Sequence, residues 1–535
     1  MLSLLPQIIQ RSQAGTFQIW ITAAHPDGVF SGEPDEAVQL MAFGTAPVDL
    51  SGWSLRDRLT GTGGLRFPSG FSLAPGVSIW VARHALSFTL AFGRPPDAAV
   101  FTDGIESVRP VEGAWPGFAN AGDEVVLRDS MGNLVDALIY GEGYTETLGW
   151  HGRFVEAYSL PGARSEGRIL IRRRDPATGL PVDTDAAADW ASDRLDPWWG
   201  RRVYFPGWML ERYERPLTLS GTIPITLIIA PDHAFEAVAT WIDGAQASII
   251  GEMFTFEHPR LAERLAAAAR RGVSVTLLLE GTPPGGISDD TRYACQLLRI
   301  AGGQCLIMRS TPTAIPPALR RYAYAHAKFL VRDDRGVLIG TENLSPRAMP
   351  DDPKSDGTEG QRGVLVAFES PEVATFLTEL FQRDIDPIFR DVTTLTEDPP
   401  PTYTPPLTLG GTAYPVRFPK PIPITASDLQ LIVGPEGMLN LEAGIWVPLR
   451  QAGPGDLILA QQLTVPPWWG PGASDPATAP VISPNLYLAT LIEAAGRGAS
   501  VWLLLDRFYD DPTNPRSNAA TVAYIESLSL ISPTL

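Results

Sequence analysis

Two cysteines and six histidines in 535 residues leave little room for several kinds of chemistry. With only Cys295 and Cys305, neither a disulfide-dense scaffold nor a four-thiolate zinc site can be built. The two are expected as buried thiols, one on a helix and one on the strand after it. Basic residues are also short: 42 Lys and Arg against 60 Asp and Glu give a formal net charge of −18. Phosphate repulsion then opposes broad, non-specific binding to nucleic acid, although a small basic pocket is compatible with it. No apolar run has the length of a membrane-spanning helix. No His/Asp/Glu cluster has metal-ligand spacing, so no metal and no other cofactor is expected. The opening "MLSLLPQIIQRSQAG" lacks the basic n-region of a signal peptide. An extracellular or cell-surface location is the expectation, without a leader that secures it.

What is plentiful is turn-forming residues, 50 Gly and 50 Pro, in a chain that is 44% hydrophobic and 19% charged. That composition is globular, and the length calls for about three domains. Residues 15–145 read as short β-rich runs ("TFQIWITAA", "EAVQLMAF", "VSIWVA", "DEVVLRD", "LVDALIYG") separated by Asp-Gly, Ser-Gly and Pro-Gly turns. Their alternation fits an antiparallel sandwich with one solvated face. Residues 146–222, rich in Arg, Pro and Trp, read as a domain edge and connector. From 223 strands and helices alternate: "PRLAERLAAAARRG" is a punctuated helix, and "VSVTLLLEG" an apolar strand suited to a sheet covered on both faces. This predicts an α/β layer fold with a substantially parallel sheet. Residues 387–423 are a Pro-rich linker. Beyond them "LQLIVGPEG" echoes "ITLIIAPDH", and "LIEAAGRGASVWLLLDR" echoes "RLAAAARRGVSVTLLLEG", an internal duplication.

The first region resembles the lamin-tail domain in "VDLSGWSLRD", "FPSGFSLAPG", "NAGDEVVLRDSMGNLVDALIYG" and, later, "DTDAAADW". The resemblance implies an immunoglobulin-like sandwich with a binding or spacing role, Trp53 in the core under a turn, and Asn133 in a hairpin turn.

"YAHAKFLVRDDRGVLIGTEN" (324–343) is where the chemistry concentrates. On a strand His326 and Lys328 share a face, whereas Asp333 has the opposite parity and adjoins a hairpin turn. Asp333 is therefore expected to face away in a structural role, and the return strand brings Thr341 and Asn343 back toward His326. A neutral imidazole can attack phosphorus while an ammonium and an amide N–H stabilise the equatorial oxygens. His233 and His258 are isolated and read as surface or packing residues.

The full pattern H-x-K-x4-D-x6-G-T-x-N resembles the signature of the phospholipase D superfamily, and the resemblance runs from about 223 to 386. It implies a catalytic His326 that forms a phosphohistidine and passes the phosphoryl group to water or an alcohol. Lys328 and Asn343 would hold phosphate with Thr341 beside them, and Asp333, the motif's aspartate, is by the resemblance one of the catalytic set. The usual histidine-orienting carboxylate is replaced by Gln361, for which Glu359 is the candidate substitute. The fold class expected is multidomain: an immunoglobulin-like β-sandwich (15–145), then duplicated α/β (α-β-α) phospholipase D-like domains at 223–386 and 424–535, the second incomplete.

Members of this family join two such motifs. Fifty-five residues separate Arg271 from His326; the same spacing from Arg497 falls at position 552, and no His follows His326 in this sequence. A truncated two-motif enzyme is the favoured expectation, with a homodimer of facing His326 residues or a non-catalytic scaffold as alternatives. The substrate expected is a phosphodiester, phospholipid ahead of nucleic acid, with contact to a membrane surface. The basic clusters "RSEGRILIRRR" (164–174) and "ALRRYAYAHAK" (318–328) are where nucleic acid would be held.

Overall fold

The computed structural model describes residues 17–528 except 58–63, 148, 158–165, 176, 194–201, 312–317, 352–359, 406–415, 439, 471–474 and 508–509. The opening fifteen residues, Glu359 and the chain end lie outside the described residues. The chain divides into two compact units, 1–208 with 448–535, and 209–447.

In the first unit, two sheets enclose one core. The six-stranded sheet runs Leu170–Ile171, Phe17–His25, Ala37–Gly44, Ser78–His84, Ala98–Phe101, Arg109–Pro110. The five-stranded sheet runs Glu112–Gly113, Leu65–Arg66, Ser54–Arg56, Gly122–Arg128, Leu134–Gly141. Ile19, Leu40, Leu55, Phe67, Val125 and Leu138 fill the space between them, and Trp53 packs at its margin. Asn133 closes its hairpin against both oxygens of Asp129 (2.8 Å each). The sandwich is not wholly antiparallel: Ser78–His84, Ala98–Phe101 and Arg109–Pro110 pair in parallel. A helix, Ala85–Phe92, supplies the crossover that parallel neighbours need.

The segment 146–222 contributes to this core rather than only skirting it, through Trp150, Val155, Leu170 and Trp190. Its basic run is used internally as well. Arg172, fully buried, grips both oxygens of Asp136 (2.8 and 2.9 Å) and one of Asp183 (2.7 Å). Asp185 completes a three-carboxylate cluster there. Arg172 is therefore not available to a nucleic-acid strand.

The second unit is built on a nine-stranded sheet. Its elements are β1 (Leu217–Ala230), α1 (Ala234–Asp243), β2 (Ser248–Met253), α2 (Pro259–Arg270), β3 (Ser274–Glu280), α3 (Asp289–Ile300), β4 (Gln304–Met308), β5 (Phe329–Arg332), β6 (Gly336–Gly340), β7 (Gly363–Glu369), α4 (Pro371–Asp384), β8 (Val392–Thr394) and β9 (Ile422–Leu431). The spatial order is β8-β4-β3-β2-β5-β6-β7-β1-β9. Only β2, β3 and β4 are mutually parallel. The other neighbours pair antiparallel, which corrects the expectation of a mostly parallel sheet. The reason is local: β5 and β6 are joined by a tight turn with no helix to carry a crossover. One apolar cluster packs α1, α2 and α3 on one sheet face, and another packs α4 on the other. The Pro-rich stretch is not featureless, since β8 lies within it, and β9 adds to the edge of the same sheet beside β1.

The duplication is visible in the order of elements. After β9 come α5 (Trp446–Gln451), β10 (Leu457–Gln462), α6 (Leu486–Gly496), β11 (Ser500–Leu505) and α7 (Asn518–Ser527), matching α1, β2, α2, β3 and α3, with one added short helix, Ala479–Ile482, between β10 and α6. β10 and β11 pair in parallel as β2 and β3 do. Equivalent bonds open the two strands: Ser274 N to Ala247 O at 2.9 Å, and Ser500 N to Asp456 O at 2.8 Å. No described helix is long and apolar enough to cross a membrane.

Cys295 of α3 and Cys305 of β4 are joined by a disulfide, their Cα atoms 5.6 Å apart, rather than standing as separate thiols. A tight turn at Gly302 and Gly303 folds the helix end directly back onto the next strand, which brings the pair into bonding distance.

Candidate active site

The hairpin β5–β6 decides what meets what. His326 and Lys328 sit in the extended segment just before β5, and Thr341 and Asn343 just after β6, so all four are at one end of the hairpin. The register is held by Phe329 opposite Ile339 and by Gly340 N donating to Lys328 O at 3.0 Å. This is also the end where the parallel strands β2 and β3 finish, the end at which open α/β sheets commonly place ligands.

Lys328 Nζ stands 3.3 Å from both ring nitrogens of His326 and donates to the His326 carbonyl at 3.0 Å. The imidazole lies edge-to-face on Phe254, ring centres 4.6 Å apart. Partial burial and the Lys328 charge hold its pKa below 6.5, opposed by the carboxylate of Glu280. Burial pushes Lys328 down to about 8, against the pull of Glu342. A neutral imidazole and a still-charged ammonium can therefore coexist near neutrality, the pairing that attack on phosphorus requires. Thr341 Oγ1 accepts from Val364 N at 3.1 Å and lies 3.2 Å from Glu342 Oε1. The side-chain oxygen of Asn343 is shielded from solvent and takes no hydrogen bond.

Asp333 is not brought to this site. The four residues of β5 lie between it and Lys328, five steps of extended chain or roughly 16 Å. Its carboxylate accepts from the backbone N–H groups of Gln246 (3.0 Å), Ala247 (2.7 Å) and Ser248 (3.0 Å), pinning the start of β2. Burial raises its pKa, but those three donors outweigh it and the net shift is downward. Asp333 also takes a left-handed backbone (φ 52°), suited to the turn that follows. Parity predicts this placement, and the catalytic part that the resemblance implies for Asp333 does not fit it. Asp333→Asn should lower unfolding stability by about 1–3 kcal/mol in urea titrations while leaving turnover of the folded protein nearly unchanged.

Gln361 is exposed, and its backbone N–H donates to Arg347 O at 2.9 Å; no hydrogen bond joins its side chain to His326. His258 is a packing residue: it caps α2, bonds Met349 O at 2.7 Å and stacks on Phe235.

Three groups at or behind the site escape a motif search. Glu280, ending β3, accepts from Ala325 N at 2.7 Å through one oxygen. Its other oxygen accepts from Thr282 N (2.7 Å) and Thr282 Oγ1 (2.6 Å). Glu342 lies across Gly363, where a Cβ would meet its Oε1 at 2.1 Å, and burial raises its pKa. Arg321, five residues before His326, is buried and saturates its guanidinium on Asp384, Asp391 and two carbonyls. The only sequence signal for Glu280 is a lone acid closing an apolar strand; Arg321 shows only as part of the basic run 318–328, and Glu342 carries no signal.

Residues 238–385 match the family model described as cardiolipin synthase, PLD-like domain, and residues 12–142 match that of the lamin tail domain. The chain thus carries a phospholipase D-like domain, a member of a phosphodiesterase fold family, behind an immunoglobulin-like sandwich. More particularly, the former is similar to the PLD-like domain of the cardiolipin synthase model and the latter to the lamin tail domain model. No curated protein matches the sequence. Among solved structures, the phospholipase D family member Nuc from Salmonella typhimurium is 19% identical with a TM-score of 0.25, over 32% of this chain and 99% of that one. NucT from Helicobacter pylori is 16% identical, TM-score 0.24, over 32% and 98%. Phosphatidylserine synthase from Haemophilus influenzae Rd KW20 is 14% identical, TM-score 0.24, over 32% and 39%.

Proposed function

We propose that this protein cleaves or transfers a phosphodiester through a covalent phosphohistidine at His326, with Lys328, Thr341 and Asn343 as the groups that hold the phosphate. The observation that carries the reading is the Lys328 ammonium set 3.3 Å from the His326 ring, at the hairpin end that also bears Thr341 and Asn343. The imidazole attacks phosphorus, an N–P bond forms as a P–O bond breaks, and the leaving oxygen takes the electron pair. Lys328 and the Asn343 amide stabilise charge on the equatorial oxygens. Water or an alcohol then displaces the histidine.

A phospholipid is the substrate that the −18 net charge favours. One observation favours a second reading, a single-stranded polynucleotide. Tyr324 is 44% exposed, packs edge-on against Phe254, and has the Arg320 guanidinium 5.5 Å from its ring centre. An open aromatic ring beside a phosphate site suits base stacking. Phospholipid vesicles and a single-stranded oligonucleotide, offered as substrates in parallel, separate the two.

The pH–rate profile with a small chromogenic diester tests the chemistry. His326 must be neutral, so the rate rises as pH climbs through a pKa below 6.5. Lys328 must be charged, so the rate falls as pH climbs through about 8. A profile still flat at about pH 10, where an ordinary lysine begins to titrate, contradicts the role given to Lys328.

A further inference from the structure

We propose that Glu280 is the positioning residue for His326, supplying from β3 the carboxylate that position 361 lacks. The inference rests on reading His326 as the nucleophile.

The geometry has two parts. Glu280 is 5% exposed, and its 2.7 Å bond to Ala325 N grips the amide immediately before His326. The loop is therefore clamped at its last link before the imidazole. Thr282 clamps the carboxylate in turn through its N–H and hydroxyl, so that Glu280 is aimed by the β3 end itself. All three of these donors are neutral, and no described Lys or Arg forms an ion pair with Glu280. The charge of a buried carboxylate so held is left to act on its surroundings. The groups acting on His326 are Lys328 on its own segment, Phe254 after β2 and Glu280 at the end of β3, and Glu280 is the one that favours a positive ring. A ring nitrogen that bonds to phosphorus leaves the imidazole positively charged. A fixed anion nearby stabilises that charge, the task an orienting carboxylate performs in other histidine sites. Gln361, exposed and bonded elsewhere through its backbone, carries no charge for this purpose. The duplicated half has an acid, Asp506, directly after β11, where Glu280 closes β3.

The test is Glu280→Gln in the full chain, which keeps an acceptor for Ala325 N and removes the charge. His326 is followed by NMR of its ring C–H, assigned by loss of that signal in His326→Asn. Its pKa should fall by about half a unit or more relative to the parent protein. With a chromogenic diester, kcat should drop about tenfold or more with KM unchanged. Thr282→Ala, which loosens the clamp but keeps the charge, should leave the titration where it is. An unmoved His326 titration in folded Glu280→Gln overturns the assignment. Should that variant fail to fold, Glu280→Asp is read instead: a retained pKa with lowered kcat supports the clamp, and both unchanged overturns it. The titration needs no turnover. A shifted pKa in a protein that cleaves no diester would keep Glu280 as the partner of His326 and reject the phosphodiesterase reading alone.

Discussion

Arg321→Met is expected to lower unfolding stability by about 3–5 kcal/mol. Arg321 is 4% exposed, and its guanidinium meets Asp391 at 2.7 and 3.0 Å, Asp384 Oδ1 at 3.2 Å and Asp384 O at 2.6 Å. Tyr322 adds its hydroxyl to Asp384 at 3.0 Å, and the Arg321 guanidinium covers the Phe389 ring at 4.1 Å. Asp384 ends α4 and Asp391 precedes β8, so one side chain ties the approach to His326 to two other elements. Burial already raises the Asp384 pKa in spite of Arg321, and burial raises that of neighbouring Glu252 well above its ordinary value. Removing the guanidinium strands two buried carboxylates beside a third. Urea titration checks the loss. The triple change Arg321→Met, Asp384→Asn, Asp391→Asn should recover much of it, because the cost lies in uncompensated charge more than in missing contacts. A loss below about 1 kcal/mol in the single variant would show that water reaches the cluster.

His326→Asn should lower kcat on a phosphodiester by about three orders of magnitude or more while leaving the melting temperature within a few degrees. The imidazole is exposed and its ring contacts are Phe254 and Lys328, so little packing is lost. The asparagine keeps polarity and some volume but has no nucleophilic nitrogen. Lys328 sits on the same ring and remains able to hold phosphate, so KM should change much less than kcat. A fall in KM affinity with kcat intact would instead mark His326 as a ligand for substrate.

Much of this arrangement is legible in the residue order, where the signal is local. The alternating runs before residue 145 give strands of the sandwich, and the Pro-to-Gly punctuation of α2 gives a helix with its ends. Strand parity separates Asp333 from His326 and Lys328, and in the structure three backbone amides occupy the Asp333 carboxylate. The echo of 264–281 in 491–507 appears as matching elements.

What was not legible depends on contacts between segments far apart in sequence. Glu280 meets Ala325 across 45 residues, and Arg321 meets Asp391 across 70. No periodicity reports such a pairing. β5 pairs antiparallel with β2, and hydrophobic runs in the residue order do not report that direction. The burial of Arg172 shows the same limit from the other side. A run of three arginines, Arg172 to Arg174, looks like a surface patch until the sandwich closes over one of them.

The measurement closest to the central claim is a quench experiment with a diester radiolabelled at phosphorus. The protein is mixed with substrate, stopped in alkali, digested and mapped. The account predicts a label stable to alkali and lost in acid, carried by the peptide that contains His326 and absent from His326→Asn. Turnover of the diester with no label on that peptide, or with the label on another residue, would contradict it.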